Sequence, residues 1–214
     1  DEWGTWYDVE EGTNPGFLYQ QNTMRDAMVA AITLNVFNRH CDRVVMANLA
    51  QTVNVLQAVL LTEGDQMVKT PTYHVFDLYK AHQDANEVDC HVACEKVGEG
   101  KHTVAQLTAS ASEKDGKVTL TVANVSCTEN AETLVTLRDC EIEAITGRIL
   151  AGNMAQYNDF GKTEVEVKPF TDFEQLENGD IKVNLPACMI WSCFLHSIAP
   201  LLSLIHISEP TRPR

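Results

Sequence analysis

The chain has 214 residues, of which 44% are hydrophobic and 21% charged, so it is long enough for one domain or two small ones with real cores. Its net charge of -14, from 30 acidic and 16 basic residues, repels phosphate backbones and argues against nucleic-acid binding. The cysteine count of 7 is odd and includes no CxxC pair, which fits a reducing compartment better than a disulfide framework.

The chain begins with carboxylates followed directly by aromatic residues. Asp1 and Glu2 precede Trp3, Trp6 and Tyr7. Sugar chemistry uses this combination, because a carboxylate can attack or stabilise an anomeric carbon while flat apolar rings hold the sugar. A catalytic-looking segment at residue 1 leads us to expect that an N-terminal part of the protein is missing.

Two helix starts can be recognised in the first third of the chain. Thr23 with Asp26 three residues later resembles a capping box, and an apolar stripe at helical spacing follows as far as Arg39. Thr70 and Pro71 have the residue types of an N-cap and a first helical position. The spacing therefore predicts one helix up to residue 39 and a second one starting at residue 71.

A short apolar run separates the two predicted helices. Residues 43–50 suit a strand that is buried on both faces, and the polar Gln51 follows at its C-terminal end. With the strand-like start of the chain, the order is strand, loop, helix, strand, loop, helix. This order predicts α/β structure for the first stretch of the chain.

The hydrophobic period changes after about residue 85. Residues 119–125 and 163–168 alternate in twos, and the pairs at 115–116 and 178–179 are hairpin-type turns. This pattern predicts an all-β part, an antiparallel β-sandwich of jelly-roll type, over residues 85–188.

The last stretch, residues 189–214, fits neither pattern. Residues 189–208 contain no Asp, Glu, Lys or Arg, which would suit a membrane span, but Pro200 and two histidines argue against one. Residues 202–212 look like the conceptual translation of a common transposase-type sequencing adapter. We therefore expect residues 189–214 to be a non-native tail outside the fold, and we predict no membrane partner.

Metal and cofactor sites are not predicted. Cys90, His91 and Cys94 resemble part of a zinc-binding motif, but four ligands at standard zinc spacing are not present. The chain has no GxGxxG motif and no P-loop.

Four segments, in the same order, closely resemble α-L-arabinofuranosidases of glycoside hydrolase family 51. They are residues 1–7 (DEWGTWY), 14–23 (NPGFLYQQNT), 46–55 (MANLAQTVNV) and 70–76 (TPTYHVF). The resemblance is dense over residues 1–84 and weaker up to residue 188. It implies that residues 1–84 are the last strands and helices of a (β/α)8 TIM-barrel catalytic domain, truncated at its N-terminus. Residues 85–188 would then be the C-terminal β-sandwich domain.

The resemblance also assigns site residues. It implies that Glu2 is the catalytic nucleophile at the end of the seventh barrel strand, that Gln51 contacts the sugar, and that Trp6 lines the pocket. Catalytic groups of such barrels lie at the C-terminal ends of strands. Without the resemblance, Glu2 is interpreted as a solvated acid and Gln51 as a hydrogen-bonding residue at a strand end. The family's acid/base, a Glu on the fourth strand, is absent here, so we expect the chain alone to have little or no activity.

The function implied is that of a retaining, exo-acting α-L-arabinofuranosidase. Such a glycoside hydrolase releases terminal α-L-arabinofuranosyl residues from arabinan, arabinoxylan or arabino-oligosaccharides, without a cofactor. The resemblance further implies a homo-oligomer for the full-length parent and, with the free thiols, a cytoplasmic location.

A non-catalytic carbohydrate-binding or interaction module on residues 85–188 is the alternative function. This stretch is poor in the exposed aromatic residues that such modules use, and it has no Trp. Its larger aromatic residues are Tyr157, Phe160, Phe170 and Phe173. The enzyme interpretation is therefore preferred, with the sandwich as a structural companion of the barrel.

Overall fold

The computed structural model describes residues 2–138, 140–197 and 204–208. Its α-helices are α1 (Met24–Asn38) and α2 (Pro71–Tyr79), and single 3-10 turns lie at Pro15–Phe17 and Lys80–His82. Within these described ranges, no helix is long and apolar enough to cross a membrane.

The strands account for most of the regular structure in the described part of the chain. In chain order they are β1 (Glu2–Trp3), β2 (Asn48–Leu49), β3 (Leu60–Glu63), β4 (Gln66–Lys69), β5 (Asn86–Val88), β6 (Cys90–Ala93), β7 (Lys96–Glu99), β8 (His102–Ala105), β9 (Leu107–Lys114), β10 (Lys117–Asn124), β11 (Ala131–Arg138), β12 (Ile142–Ala151), β13 (Asn158–Asp159), β14 (Lys162–Thr163), β15 (Val167–Phe170), β16 (Phe173–Gln175), β17 (Ile181–Leu185), β18 (Met189–Ser197) and β19 (Leu204–Ser208).

Two large sheets form the predicted sandwich. One has the order β15-β12-β18-β10-β9-β5 and the other the order β16-β17-β11-β19-β6. Their facing side chains form one buried cluster, to which Leu120 and Trp191 contribute from the first sheet and Val135, Ile181 and Ile205 from the second. The pairings are antiparallel except that β19 runs parallel to β6. The prediction of an antiparallel sandwich is therefore correct apart from this pair.

Both helices pack on the outer face of the six-stranded sheet. The inward stripe of α1 includes the fully buried Ala27, Ala30 and Ala31, and it shares a second buried cluster with Ala123 of β10 and Ile190 of β18. Small side chains let a helix approach a sheet closely and bury the apolar surface of both. The fold is therefore a helix layer on a two-sheet sandwich.

Both predicted helix starts are confirmed. The Thr23 hydroxyl accepts a hydrogen bond from the Arg25 N–H, and the Asp26 carboxylate accepts one from the Thr23 N–H at 2.8 Å. Thr70 caps α2, and Pro71 is its first residue. These local side-chain bonds satisfy N–H groups that a helix start leaves free, and the chain turns into each helix at the predicted residue.

The prediction of a strand buried on both faces over residues 43–50 is wrong. Strand structure is limited to Asn48–Leu49, and the side chains of Val45 and Met46 are 92% and 68% exposed. Among the described residues the strand has one neighbour, the two-residue β1. A strand needs partners on both edges and a cover on both faces before its apolar run is buried.

The turn at 115–116 is confirmed, whereas the strand over residues 163–168 is interrupted. Asp115 and Gly116 both have positive φ, 54° and 76°, as a two-residue hairpin turn requires. The interruption occurs because Asn158 Oδ1 accepts hydrogen bonds from the N–H groups of Glu164 and Val165, both at 2.9 Å. A side chain thus takes the donors that a continuous ladder would use.

The prediction that residues 189–214 lie outside the fold is wrong for two segments. Met189–Ser197 forms β18, between β10 and β12, and Trp191 is completely buried. Leu204–Ser208 forms β19, between β11 and β6. The uncharged run of β18 is explained by burial on both faces, one against the other sheet and one against the helices. Residues 198–203 and 209–214 are outside the described residues, and the non-native origin of the tail stays a prediction.

Candidate active site

A two-stranded parallel ladder positions the predicted catalytic residue. Glu2 of β1 lies in register with Asn48 of β2, and Trp3 lies in register with Leu49. The side chains of Glu2 and Asn48 are exposed, and so is that of Gln51, two residues beyond β2. Because parallel strands end at the same edge of a sheet, the segment that follows Trp3 and the segment that carries Gln51 leave the ladder at the same end.

The aromatic residues after Glu2 have different environments. The Trp3 ring lies 5.6 Å from Phe37 of α1, edge-on, and stacks at 6.3 Å on Phe76 of α2. Trp3 therefore packs between the helices, against the buried cluster that they share with the sheet. The Trp6 side chain is 69% exposed at the end of the chain that carries Glu2, so its ring face is available to a ligand.

A glycine brings the two strand ends together. Gly4 has φ +146°, and a Cβ at this position would lie 3.2 Å from the carbonyl oxygen of Ala50. The next residue, Thr5, donates its N–H to Gln57 Oε1 at 2.9 Å. The segment after β1 is therefore held directly against the segment after β2.

A buried carboxylate fixes the segment that carries Trp6. Asp26 is fully buried, and its Oδ1 accepts a hydrogen bond from Thr5 Oγ1 at 2.7 Å. Its Oδ2 makes the capping bond to Thr23, and its main-chain oxygen accepts from Gln57 Nε2 at 2.8 Å. The capping motif identifies Asp26 from sequence as a helix start, but its contact with Thr5 spans 21 residues and has no local signal.

Gln20 holds the other side of the same segment. This buried amide donates to the main-chain oxygen of Thr5 at 3.2 Å and accepts from the Tyr7 N–H at 3.2 Å. The Arg25 guanidinium lies 3.7 Å from the centre of the Tyr7 ring. Burial, and to a lesser extent the nearby Asp26 carboxylate, raises the pKa of Tyr7, so its phenol stays neutral. Residues 5–7 are thus fixed on both sides of Trp6.

An open groove of about 1130 Å³ lies between three parts of the chain. Its walls come from residues 13–19, which follow β1, from residues 54–63, which follow β2, and from residues 159–160 of the β part. No sequence motif identifies this groove, because the walls are brought together only by the fold.

The aromatic residues of the sandwich do not form a sugar-binding face of their own. Phe170 is buried and Phe173 half-buried, and their rings lie 6.1 and 6.2 Å from the ring of the buried Trp191. Two of the four aromatic residues considered for the binding-module alternative are therefore part of the core. Phe160 lines the groove described above.

Cys90, His91 and Cys94 have separate environments. Burial raises the pKa of the Cys90 thiol to about 12, and Cys94 Sγ lies 3.7 Å from the carbonyl oxygen of Leu107. His91 is exposed and stacks on His206. In the described part of the chain, no three His, Cys, Asp or Glu side chains are grouped so as to hold a metal ion.

The comparison with known proteins identifies the family. The family model of the α-L-arabinofuranosidase C-terminal domain matches residues 1–188. The chain belongs to this family. The resemblance carried by the four sequence segments is thereby confirmed.

Relatives of the same family resemble this chain in both sequence and fold. An intracellular exo-α-L-arabinofuranosidase from Bacteroides ovatus is 46% identical over 191 residues, which are 87% of this chain and 37% of that protein. The crystal structure of the family GH51 arabinofuranosidase from Xanthomonas axonopodis pv. citri matches with a TM-score of 0.84 and 41% identity, over 91% of this chain and 40% of that one.

A more distant structure supports the fold alone. The family 51 α-L-arabinofuranosidase from Bifidobacterium longum matches with a TM-score of 0.71 and 20% identity, over 92% of this chain and 43% of that one. In each of these comparisons this chain spans less than half of the length of its relative.

Proposed function

We propose that this chain supplies the nucleophile to the active site of a retaining, exo-acting α-L-arabinofuranosidase. The observation that carries the proposal is the parallel ladder of β1 and β2, in which the exposed Glu2 pairs with Asn48 and from whose C-terminal end the segments with the exposed Trp6 and Gln51 leave. Residues 1–84 are proposed to be the end of a (β/α)8 barrel, whose reacting groups lie at the C-terminal ends of its strands.

The proposed chemistry gives each residue a separate task. The Glu2 carboxylate attacks the anomeric carbon, the bond to the leaving oxygen breaks, and a glycosyl-enzyme forms. A second carboxyl group, about 5–5.5 Å away in retaining enzymes, first protonates the leaving oxygen and then takes a proton from the attacking water. Gln51 hydrogen-bonds hydroxyl groups of the sugar, and the Trp6 ring covers an apolar face of it.

The second carboxyl group is proposed to come from the part of the relatives that this chain does not span. That part is more than half of each relative, which leaves room for the earlier strands of a barrel. The proposed substrates are glycans and oligosaccharides with terminal α-L-arabinofuranosyl groups. A cytoplasmic location is supported by the odd number of cysteines without a CxxC pair, and by the Bacteroides ovatus relative, which is an intracellular enzyme.

The test uses the protein translated from the complete gene and an aryl α-L-arabinofuranoside as substrate. Glu2→Ala should abolish turnover, and added azide should restore cleavage with a β-arabinofuranosyl azide as product, because azide replaces the missing nucleophile. Glu11→Ala, which removes an exposed acid further along the same loop, is the matched control and should keep full activity. A Glu2→Ala protein that remains fully active would refute the assignment of Glu2.

A further inference from the structure

One completely buried amide joins the segments that leave the β1–β2 ladder. This amide belongs to Gln57, which lies on the segment that follows β2. We propose that Gln57 is a positioning residue of the candidate active site, which fixes the segment after Glu2 against the segment that carries Gln51. The inference rests on the proposed function, because Gln57 acts through the roles assigned to Glu2 and Gln51.

The oxygen of the amide restrains the chain close to the candidate nucleophile. Gln57 Oε1 accepts a hydrogen bond from the Thr5 N–H at 2.9 Å, three residues after Glu2 and directly before Trp6. The chain between them turns at Gly4, whose φ is +146°. A glycine restricts its own backbone less than any other residue does. The hydrogen bond from Thr5 therefore fixes the direction in which the chain leaves Glu2.

The main chain around Gln57 restrains the Gln51 segment. The Gln57 N–H donates to the carbonyl oxygen of Ala50 at 3.2 Å, and the Val59 N–H donates to the carbonyl oxygen of Gln51 at 3.2 Å. The Ala50 N–H in turn donates to the carbonyl oxygen of Trp3 at 2.8 Å. The exposed Gln51 side chain thus starts from a main chain that is fixed before it and at it.

The nitrogen of the amide connects the same point to both helices. Gln57 Nε2 donates to the main-chain oxygen of Asp26 in α1 at 2.8 Å and to Thr72 Oγ1 in α2 at 3.3 Å. One side chain therefore uses an acceptor towards Thr5 and a donor towards the helices, and this division fixes the orientation of the amide. A buried polar group whose donor and acceptor are both paired makes its surroundings rigid.

The chemistry needs this rigidity more than the binding of the sugar does. A completely buried side chain does not touch a bound sugar, so Gln57 acts through the main chain at Thr5 and Ala50. In-line attack by a carboxylate depends on its exact position, and a displacement of about 1 Å can cost about 100-fold in rate. Loss of the amide should therefore lower the rate of attack much more than the affinity for the sugar.

The first test measures attack and binding separately in the complete-gene protein. Gln57→Met keeps the length of the side chain and removes both its acceptor and its donor. The single-turnover release of the aryl alcohol from an aryl α-L-arabinofuranoside, which reports attack by Glu2, should become about 10- to 100-fold slower. Inhibition by free arabinose, which reports ground-state binding, should change far less.

The matched control removes a buried amide from the sandwich. Asn124 is completely buried, and its Nδ2 donates to the carbonyl oxygens of Leu185 and Pro186 at 3.1 and 3.0 Å. Asn124→Leu should lose stability and keep the wild-type rate of aryl-alcohol release, with all variants assayed where circular dichroism shows them folded. A normal rate in folded Gln57→Met, or an equal loss in Asn124→Leu, would overturn the proposal.

A conservative variant adds a readout that loss of stability does not produce. The carboxyl group introduced by Gln57→Glu can accept and donate while it is protonated, but it cannot donate once it is ionised. The nearby Asp26 carboxylate favours the protonated form. The rate of Gln57→Glu relative to Gln57→Met should therefore rise as the pH is lowered. A ratio that does not vary with pH would contradict the role of the amide as both donor and acceptor.

An exchange experiment separates this inference from the proposed function. If the wild-type complete-gene protein does not hydrolyse the substrate, or Glu2→Ala remains active, the proposed function fails. The amide proton of Thr5 is then followed by NMR in this chain. It should exchange with deuterium about 5-fold faster in Gln57→Met than in the wild type or in Asn124→Leu. Faster exchange would support Gln57 as the residue that fixes this segment, and unchanged exchange would refute it.

Discussion

Asp26 accepts a 2.7 Å hydrogen bond from the hydroxyl of Thr5 while it caps α1 with its other carboxylate oxygen. One buried side chain thus connects the start of a helix to the segment between Glu2 and Trp6. The helix in turn packs on the six-stranded sheet. The orientation of the candidate nucleophile therefore depends on the packing of the sandwich below it.

Asp26→Asn should lower the free energy of unfolding by about 2 kcal/mol, because an amide nitrogen cannot accept the capping bond from the Thr23 N–H. Thr5→Val should cost about 1 kcal/mol by removing the hydroxyl donor. Urea denaturation of both single variants and the double variant measures the coupling energy between Thr5 and Asp26. If the two losses of unfolding free energy simply add, the hydrogen bond between these side chains does not contribute to stability. Asp8→Asn, at an exposed acid of the same loop, is the control and should change little.

Acid should destabilise the protein through His82. This imidazole lies 2.7 Å from Ser112 Oγ and 3.1 Å from Thr121 Oγ1, and burial lowers its pKa to about 4 from 6.5. Between these two values the unfolded chain binds a proton that the folded chain does not. Stability from this group is therefore complete above about pH 6.5 and falls by up to about 3 kcal/mol as the pH decreases towards 4.

The measurement for His82 is the pH dependence of the unfolding free energy between pH 4 and pH 7. His82→Gln should be less stable at pH 7 and should have a flatter profile than the wild type. His102→Gln removes an exposed histidine and should reproduce the wild-type slope. A His82→Gln profile parallel to that of the wild type would show that another group causes the acid sensitivity.

Trp191→Ala should cost about 3–5 kcal/mol, because it empties the centre of the sandwich between Phe170 and Phe173. Trp6→Ala, at a 69% exposed tryptophan, should stay within about 0.5 kcal/mol of the wild type. Far-ultraviolet circular dichroism during urea denaturation follows both variants. A small effect of Trp191→Ala would mean that β18 is not part of the folded sandwich.

This chain alone should show little or no hydrolysis of an aryl α-L-arabinofuranoside, because the proposed nucleophile lacks its partner carboxyl group. The assay compares the chain with the complete-gene protein at equal molar concentration. Turnover by the chain that disappears in Glu2→Ala would show instead that the second carboxyl group lies within these 214 residues.

Features that depend on neighbouring residues were predictable from sequence. The Thr23–Asp26 cap and the turn at 115–116 involve residues within three positions of each other, so their residue types determine the conformation. Residues 43–50 and 189–197 are similar apolar runs with opposite outcomes. One has a single two-residue neighbour and the other lies between two long strands, and sequence periodicity does not contain that information.

The candidate site was predictable only in part. Glu2, Trp6 and Gln51 came from a resemblance to a family, and their roles stay predictions. The groove could not be foreseen, because residues 159–160 lie about 100 positions from one of the loops they meet and about 140 from the other. The same holds for Gln20 and Gln57, because the Tyr7 and Thr5 N–H groups that their side chains accept lie 13 and 52 positions away in the chain.

The contact between α1 and the outer face of the sandwich limits how such proteins can be recombined. Ala27, Ala30 and Ala31 are opposed to side chains such as Ala123 and Ile190, and all of them are completely buried. A crossover between two relatives at residue 84 would separate these partners into different parents. A chimera would then keep its loops in place only where both parents use side chains of matching volume at this contact.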